Sequence, residues 1–257
     1  MAKGVSHHMQ DTVWKETVMG IRGAIAYHYQ KYVENKMKNE KSRQAVLMFH
    51  RITEVETDDE FSISRKNLLN ICDEYRLIIK PLPISEVDEP SLYITFDDIS
   101  DTVYSIKEEL DKRDIPYTIF VATALVGTED HISEAMLSDF ALDKNCTIGS
   151  HTVSHSRLID CSSEKLEEEF RSSRDILRLK TGRNIELVAY PYGSLDSLSR
   201  KVIQVARNSG YRQAYSTLQC SVADVGRDDF LIPRWNVNDR SCKMVMGEIE
   251  RLKSNEC

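Results

Sequence analysis

Glycine and proline are sparse in this chain, with 10 and 6 residues among 257, which excludes collagen-like and low-complexity architectures. No apolar run reaches the roughly 18 residues that a membrane-crossing helix needs. The N-terminus lacks the apolar stretch and small-residue cleavage site of a secretory leader, so the expected compartment is the cytoplasm. The six cysteines, Cys72, Cys146, Cys161, Cys220, Cys242 and Cys257, form no C-x-x-C pair and no zinc-ribbon spacing. In a chain of this length they read as reduced, mostly buried thiols. Positive charge is short as well. The net charge is −7, with Lys and Arg interspersed among Asp and Glu, which argues against a nucleic-acid partner. The one basic stretch, Lys31 to Arg43, carries five Lys or Arg and two Glu and reads as a solvated helix end.

What the chain does have is an alternation of two patterns. Short apolar runs occur at Ala45–Phe49, Leu77–Ile79, Leu92–Phe96, Tyr117–Val121, Cys146–Ile148 and Leu187–Tyr190, and less clearly at Gln213–Ser216 and Phe230–Ile232. Between them lie helical patterns at Ser64–Tyr75, Asp101–Arg113, Ser133–Leu142, Ser163–Leu179, Asp196–Asn208 and Cys242–Lys253. Runs of four to six residues alternating with amphipathic stretches of about ten indicate βα units and a mostly parallel sheet. Seven or eight units predict an α/β fold, a distorted or incomplete (β/α) barrel, whose chemistry sits just after the strands.

Upstream, Trp14, Val18, Ile21, Ile25, Tyr29 and Tyr32 recur at steps of three or four. They predict an amphipathic helix over residues 11–38. The expected organisation is an N-terminal helical extension, residues 1–43, and a catalytic domain, residues 44–257. The apolar face of the helix either packs on that domain or docks a partner, a second copy or a membrane surface.

Two strand ends carry candidate chemistry. Leu92-Tyr93-Ile94-Thr95-Phe96 stops at adjacent carboxylates, Asp97 and Asp98. Adjacent acids repel each other, and a divalent cation is one economical way to keep both charged, a helix N-cap another. Cys146-Thr147-Ile148-Gly149-Ser150 runs into His151 and His155, four apart. That spacing can aim two imidazoles at one point, although an isolated pair is more often structural. Two histidines and a carboxylate from different strand ends make an open metal site with room for water.

Thr95-Phe96-Asp97-Asp98 together with His151-Thr152-Val153-Ser154-His155 resembles the first two signatures of the polysaccharide deacetylases, carbohydrate esterases with a NodB-type domain. Ala189-Tyr190-Pro191-Tyr192-Gly193 resembles the third, and the likeness extends over about Ala45 to Arg240. The resemblance implies that Asp98, His151 and His155 bind the metal and that Asp97 is the base. The Tyr192 backbone N–H would then stabilise an oxyanion. It implies zinc as the default ion, with Co²⁺ or Ni²⁺ also fitting, and the N-acetyl group of an amino sugar, in a glycan or glycan precursor, as the target. Pro191, Tyr192, Arg234 and Trp235 are expected to line the substrate side, the two aromatics as surfaces for a sugar ring.

The chain departs from the pattern twice. The third signature lacks the arginine that braces the base, and Arg234 is the candidate substitute. The C-terminal Leu-x-His that supplies the acid is also missing, since no histidine follows His155. His50, directly after the run Ala45–Phe49, fits the circularly permuted branch that includes poly-N-acetylglucosamine deacetylases. There the acid-bearing strand comes first, so His50 is expected to protonate the leaving amine. The competing expectations are a non-sugar amide hydrolase on the same scaffold, a non-catalytic glycan binder and an assembly factor acting through the N-terminal helix.

Overall fold

The longer strands, Gln44–Phe49, Ser91–Phe96 and Tyr117–Val121, are mostly apolar, and their burial on both faces matches a parallel sheet covered on two sides. The computed structural model describes residues 43–254, apart from residue 88 and residues 223–227. The N-terminal helix expected over 11–38 lies outside the described residues. Seven strands form the main sheet: β1 (Gln44–Phe49), β4 (Ser91–Phe96), β5 (Tyr117–Val121), β6 (Cys146–Ser150), β7 (Leu187–Ala189), β8 (Gln213–Tyr215) and β9 (Trp235–Asn236). A separate ribbon pairs β2 (Arg51–Thr53) with β3 (Ser62–Ser64).

The order across the sheet is β8-β7-β6-β5-β4-β1-β9, and all its pairings are parallel. The sheet curls until its edges meet one short segment. Ile232 bridges to Tyr215 of β8, while Trp235 and Asn236 pair with Leu47 and Met48 of β1. The Ser216 N–H donates to the Ile232 carbonyl at 2.7 Å, and the Val237 N–H to that of Met48 at 3.0 Å. The result is the incomplete barrel that the repeated βα units imply.

Two cores follow from the two-residue period of a strand. Val46, Tyr93, Phe120, Leu187, Ala189, Tyr215 and Ile232 pack together inside the curl. Ala45, Leu47, Phe49, Leu92, Ile94 and Phe96 belong to the larger core that also takes in Leu68, Ile71, Phe140, Phe170 and Leu177 of the helices. Continuing the inward phase past the strand ends leads from Val46 to His50, from Tyr93 to Asp97, and from Gly149 to His151. Gly149 is required by packing: a Cβ there would stand 2.5 Å from the Phe120 ring.

Serine caps set the helix starts. Ser64, Ser133, Ser162 and Ser199 each accept from the N–H three residues on, the usual N-cap arrangement. Gly182 ends the helix Ser163–Thr181 in the left-handed conformation, φ 66°, as a C-cap. Several elements differ from expectation. Leu77–Ile79 is not a strand: Arg76–Ile78 is a 3₁₀ turn with Leu77 93% exposed, and Ile79 makes one bridge to Leu92. Phe230–Ile232 contributes only the Ile232 bridge, the strand falling at Trp235–Asn236. The helix expected over Asp101–Arg113 is two pieces, Asp101–Tyr104 and Lys107–Lys112. Among the described residues no helix is long and apolar enough to cross a membrane.

Candidate functional site

The loops at the C-terminal ends of β1, β4, β6 and β7 bring the expected residues to one rim. Asp98 Oδ1 lies 3.2 Å from His151 Nε2 and 3.0 Å from His155 Nε2. These three side chains offer ligand atoms that all lie within 4.8 Å of one another. The backbone bends sharply to achieve this. Asp98, Ile99, Thr152, His155 and Tyr192 all have positive φ, between 45° and 66°, a region that costs free energy for residues other than glycine and clusters at functional sites.

The donor set fits a divalent ion. His151 Nδ1 is 2.8 Å from the Ala189 carbonyl, which can only accept, so Nδ1 carries the hydrogen. In the neutral ring Nε2 then presents a lone pair to a carboxylate oxygen. Asp98 Oδ1 is buried and makes no hydrogen bond among the described residues, despite its two imidazole neighbours. Acceptors facing one another without a proton between them call for a cation. Tetrahedral zinc ligands at about 2.0–2.1 Å would stand roughly 3.3–3.4 Å apart, close to the separations found. The field agrees: burial opposes charge on His151, yet Asp97 and Asp98 outweigh it and raise its pKa. Burial likewise works to raise the Asp98 pKa, and the two imidazoles hold it well below the usual carboxylate range.

Asp97 is buried beside this trio, its Oδ2 4.0 Å from His151 Nε2. Arg234 grips it from behind. Nη1 and Nη2 each stand 2.6 Å from one of the two carboxylate oxygens. Arg234 Nε donates to the Ser216 carbonyl at 2.9 Å, and Nη1 also reaches Thr95 Oγ1 at 3.2 Å. Burial pushes the Asp97 pKa up, and the Arg234 and His151 charges overcome it, leaving the group below its ordinary value. With Arg234 0% exposed, its guanidinium stands behind Asp97 and not on the substrate side, where it was also expected. Trp235 is a correction too: it is buried in the large core cluster, in register with Leu47 of β1, on the helix-covered face of the sheet and not on the rim.

His50 follows β1, which lies beside β4, so it reaches the same rim as the two carboxylates. Its Nδ1 is buried with no hydrogen-bond partner among the described residues. Burial lowers its pKa, partly offset by Asp97 and Asp98. Pro191 is buried. Tyr192 is 57% exposed, its ring centroid 5.1 Å from that of His155. The Tyr192 carbonyl accepts from Thr217 Oγ1 at 2.8 Å, while its N–H has no partner among the described residues.

One supporting residue escaped the sequence reading. Glu169, fully buried on the helix Ser163–Thr181, accepts from the Val153 and Ser154 N–H groups, each at 2.9 Å, and from Ser154 Oγ at 2.6 Å. It pins the loop between the two histidines. The signal was its register: Leu166, Glu169, Phe170, Ser173 and Leu177 share the buried face, so this acid alone in the run Glu167–Glu169 falls on the apolar side.

Residues 85–214 match the polysaccharide deacetylase family. The chain belongs to that family. The matched span holds Asp97, Asp98, His151, His155 and Pro191–Gly193, and leaves His50 and Arg234 outside it on either side. Among curated relatives, the chain is 24% identical over 251 residues to a poly-β-1,6-N-acetyl-D-glucosamine N-deacetylase of Staphylococcus epidermidis, covering 83% of this chain and 85% of that one. The enzyme of the same name from Staphylococcus aureus strain MSSA476 is 27% identical over 163 residues, covering 58% and 55%. Among solved structures, a polysaccharide deacetylase from Bacillus cereus superposes with a TM-score of 0.71 at 20% identity, covering 80% of this chain and 68% of that one. IcaB from Ammonifex degensii gives 0.70 at 19%, covering 84% and 99%. At such identities the structural likeness speaks for the fold.

Proposed function

We propose that this protein hydrolyses the acetamido group of N-acetylglucosamine residues in a poly-N-acetylglucosamine glycan, using a divalent metal held by Asp98, His151 and His155. The observation that carries the reading is the convergence of those three ligands beside a buried carboxylate, Asp97, that Arg234 keeps ionised. The names of the staphylococcal relatives supply the substrate class.

A metal bound there would polarise the acetyl carbonyl and acidify a neighbouring water. Asp97 accepts the proton of the attacking water. Its two bonds to Arg234 use one lone pair of each oxygen and leave the other free. The unpartnered Tyr192 N–H donates to the oxygen on which negative charge develops. His50, in its protonated form, gives its proton to the amide nitrogen as the C–N bond breaks, releasing the amine and acetate. Burial makes that imidazolium a stronger acid than a free one.

The test is acetate release from β-1,6-linked N-acetylglucosamine oligomers by protein loaded with Zn²⁺, Co²⁺ or Ni²⁺. Release that stops on chelation and resumes on reloading supports the reading. No release from any amino sugar under all three ions rejects it. The same proposal lets the stretch 11–38 dock the enzyme on a membrane face or a second copy. Unchanged solubility, oligomeric state and vesicle binding after deletion of residues 1–42 would remove that part.

A further inference from the structure

The geometry points to a pyranose-binding subsite on the His50 side of the ligand trio, walled by Phe61 and by the Asp130–His131 turn. It rests on the deacetylase reading, because it follows from which end of the amide each group serves. Neighbouring strands run β1, β4, β5, β6, β7. His50 therefore follows one end of the rim and Tyr192 the other, with Asp97, Asp98, His151 and His155 between them. The amide nitrogen must approach the residue that protonates it, and the sugar ring is bonded to that nitrogen. The ring thus lies on the His50 side, and the carbonyl oxygen points toward Tyr192.

A cavity of about 360 Å³ opens there, with His50, Asp98, Phe61, Asp130 and His131 in its lining, a size within the range of small-ligand sites. Phe61 is 44% exposed and stands edge-on to the His50 imidazole, 76° between planes and 5.1 Å between centroids. It offers an apolar surface to the C–H face of a pyranose. It is held in place by its backbone: the Arg51 N–H donates to the Phe61 carbonyl, and the Asn236 and Asn238 side-chain amides both donate to the Glu60 carbonyl, all at 3.0 Å.

The opposite wall is equally fixed. The Asp101 N–H donates to the Asp130 carbonyl at 3.1 Å and the Ile132 N–H to the Ile99 carbonyl at 3.2 Å, tying this turn to the loop that carries Asp98. His131 Nδ1 lies 2.8 Å from the Glu129 carbonyl and so donates there, leaving Nε2 as an acceptor. The Asp130 carboxylate has no partner among the described residues. Both are acceptors for sugar hydroxyls. Arg51, also in the lining, is paired with Asp59 at 2.7 Å. Arg51 is thus not a free anchor for an anion, and the acceptors on this wall suit the hydroxyls of a neutral or amino sugar.

The experiment is steady-state kinetics of metal-loaded wild type, Phe61→Ala, Phe61→Trp and His131→Ala on β-1,6-linked N-acetylglucosamine oligomers and on 4-nitrophenyl acetate, which has no sugar. The expected result is that Phe61→Ala and His131→Ala each raise KM for the oligomers about three- to tenfold. The ratio of oligomer to ester kcat/KM should fall by a similar factor, and Phe61→Trp should restore it. A disturbed His50 would instead lower kcat. Unchanged KM in both alanine variants, with or without a fall in kcat, overturns the subsite. Failure of the wild type to release acetate from any oligomer would reject the deacetylase reading itself.

Discussion

Arg234 and Asp97 are 137 positions apart in the chain, yet form a bidentate pair with both contacts at 2.6 Å, and the arginine is wholly buried. The arginine reaches Asp97 from the segment that closes the sheet between β8 and β1. Removing it leaves Asp97 as a buried charge without its partner, which typically costs about 3–5 kcal/mol. Arg234→Met should lower the unfolding free energy by that order and reduce kcat. Arg234→Lys should recover stability only in part, because an ammonium cannot replace two parallel N–H bonds. Denaturant titration and kcat for the three proteins check this.

The same pair has a pH signature. The folded pKa of Asp97 lies below its ordinary value because the Arg234 and His151 charges overcome burial. A depressed carboxyl pKa adds stability that is complete above the unfolded value, about 3.9, and is lost as pH falls through the folded value. In metal-free protein, the stability advantage of wild type over Asp97→Asn should hold from pH 7 to about pH 5 and shrink below about pH 4. Denaturation curves at pH 7, 5 and 3.5 read it; an advantage that grows on acidification would contradict the assignment.

Ligand and base roles separate by metal content. Asp98→Ala and His151→Ala should purify without metal after loading and dialysis. Asp97→Asn should retain it while losing roughly 10²–10⁴-fold in kcat. Elemental analysis beside acetate release tells the two classes apart.

His50 should matter in proportion to how badly the leaving group needs a proton. His50→Ala is expected to lower kcat on the amide about 10²–10⁴-fold, with metal content unchanged and a much smaller effect on 4-nitrophenyl acetate. Equal losses on amide and ester would remove its role as acid.

Glu169 is not among the proposed ligands, yet it fixes the Val153–Ser154 backbone between His151 and His155. Glu169→Leu should weaken metal affinity roughly 10–100-fold, the usual cost of losing support behind a ligand. Glu169→Gln, which keeps one acceptor oxygen, should lose less. Competition with a chelating dye measures both without reference to turnover.

How far the sequence could be read depended on whether a signal was local. β1, β4, β5 and β6 were legible because each is an apolar run bounded by turn residues, and Asp97, Asp98, His151 and His155 because they follow such runs directly. The ribbon of β2 and β3 is three residues a side, too short for any period to show. Leu77–Ile79 looks like a strand by composition, but Leu77 points to solvent. The position of Trp235 after an apolar run predicts a place on the rim, whereas the strand begins at Trp235 itself and packs its ring under the helices. Glu169 and Phe61 depend on which neighbours the fold supplies, and a charged run or a lone phenylalanine does not reveal that locally.

The most direct test of the account is acetate release from β-1,6-linked N-acetylglucosamine oligomers by wild type and Asp97→Asn, each measured metal-loaded, chelated and reloaded. The account predicts release by loaded wild type, lost on chelation and regained on reloading, with Asp97→Asn slower by roughly 10²–10⁴-fold although it carries metal. Release that survives chelation, or that Asp97→Asn matches, would contradict it.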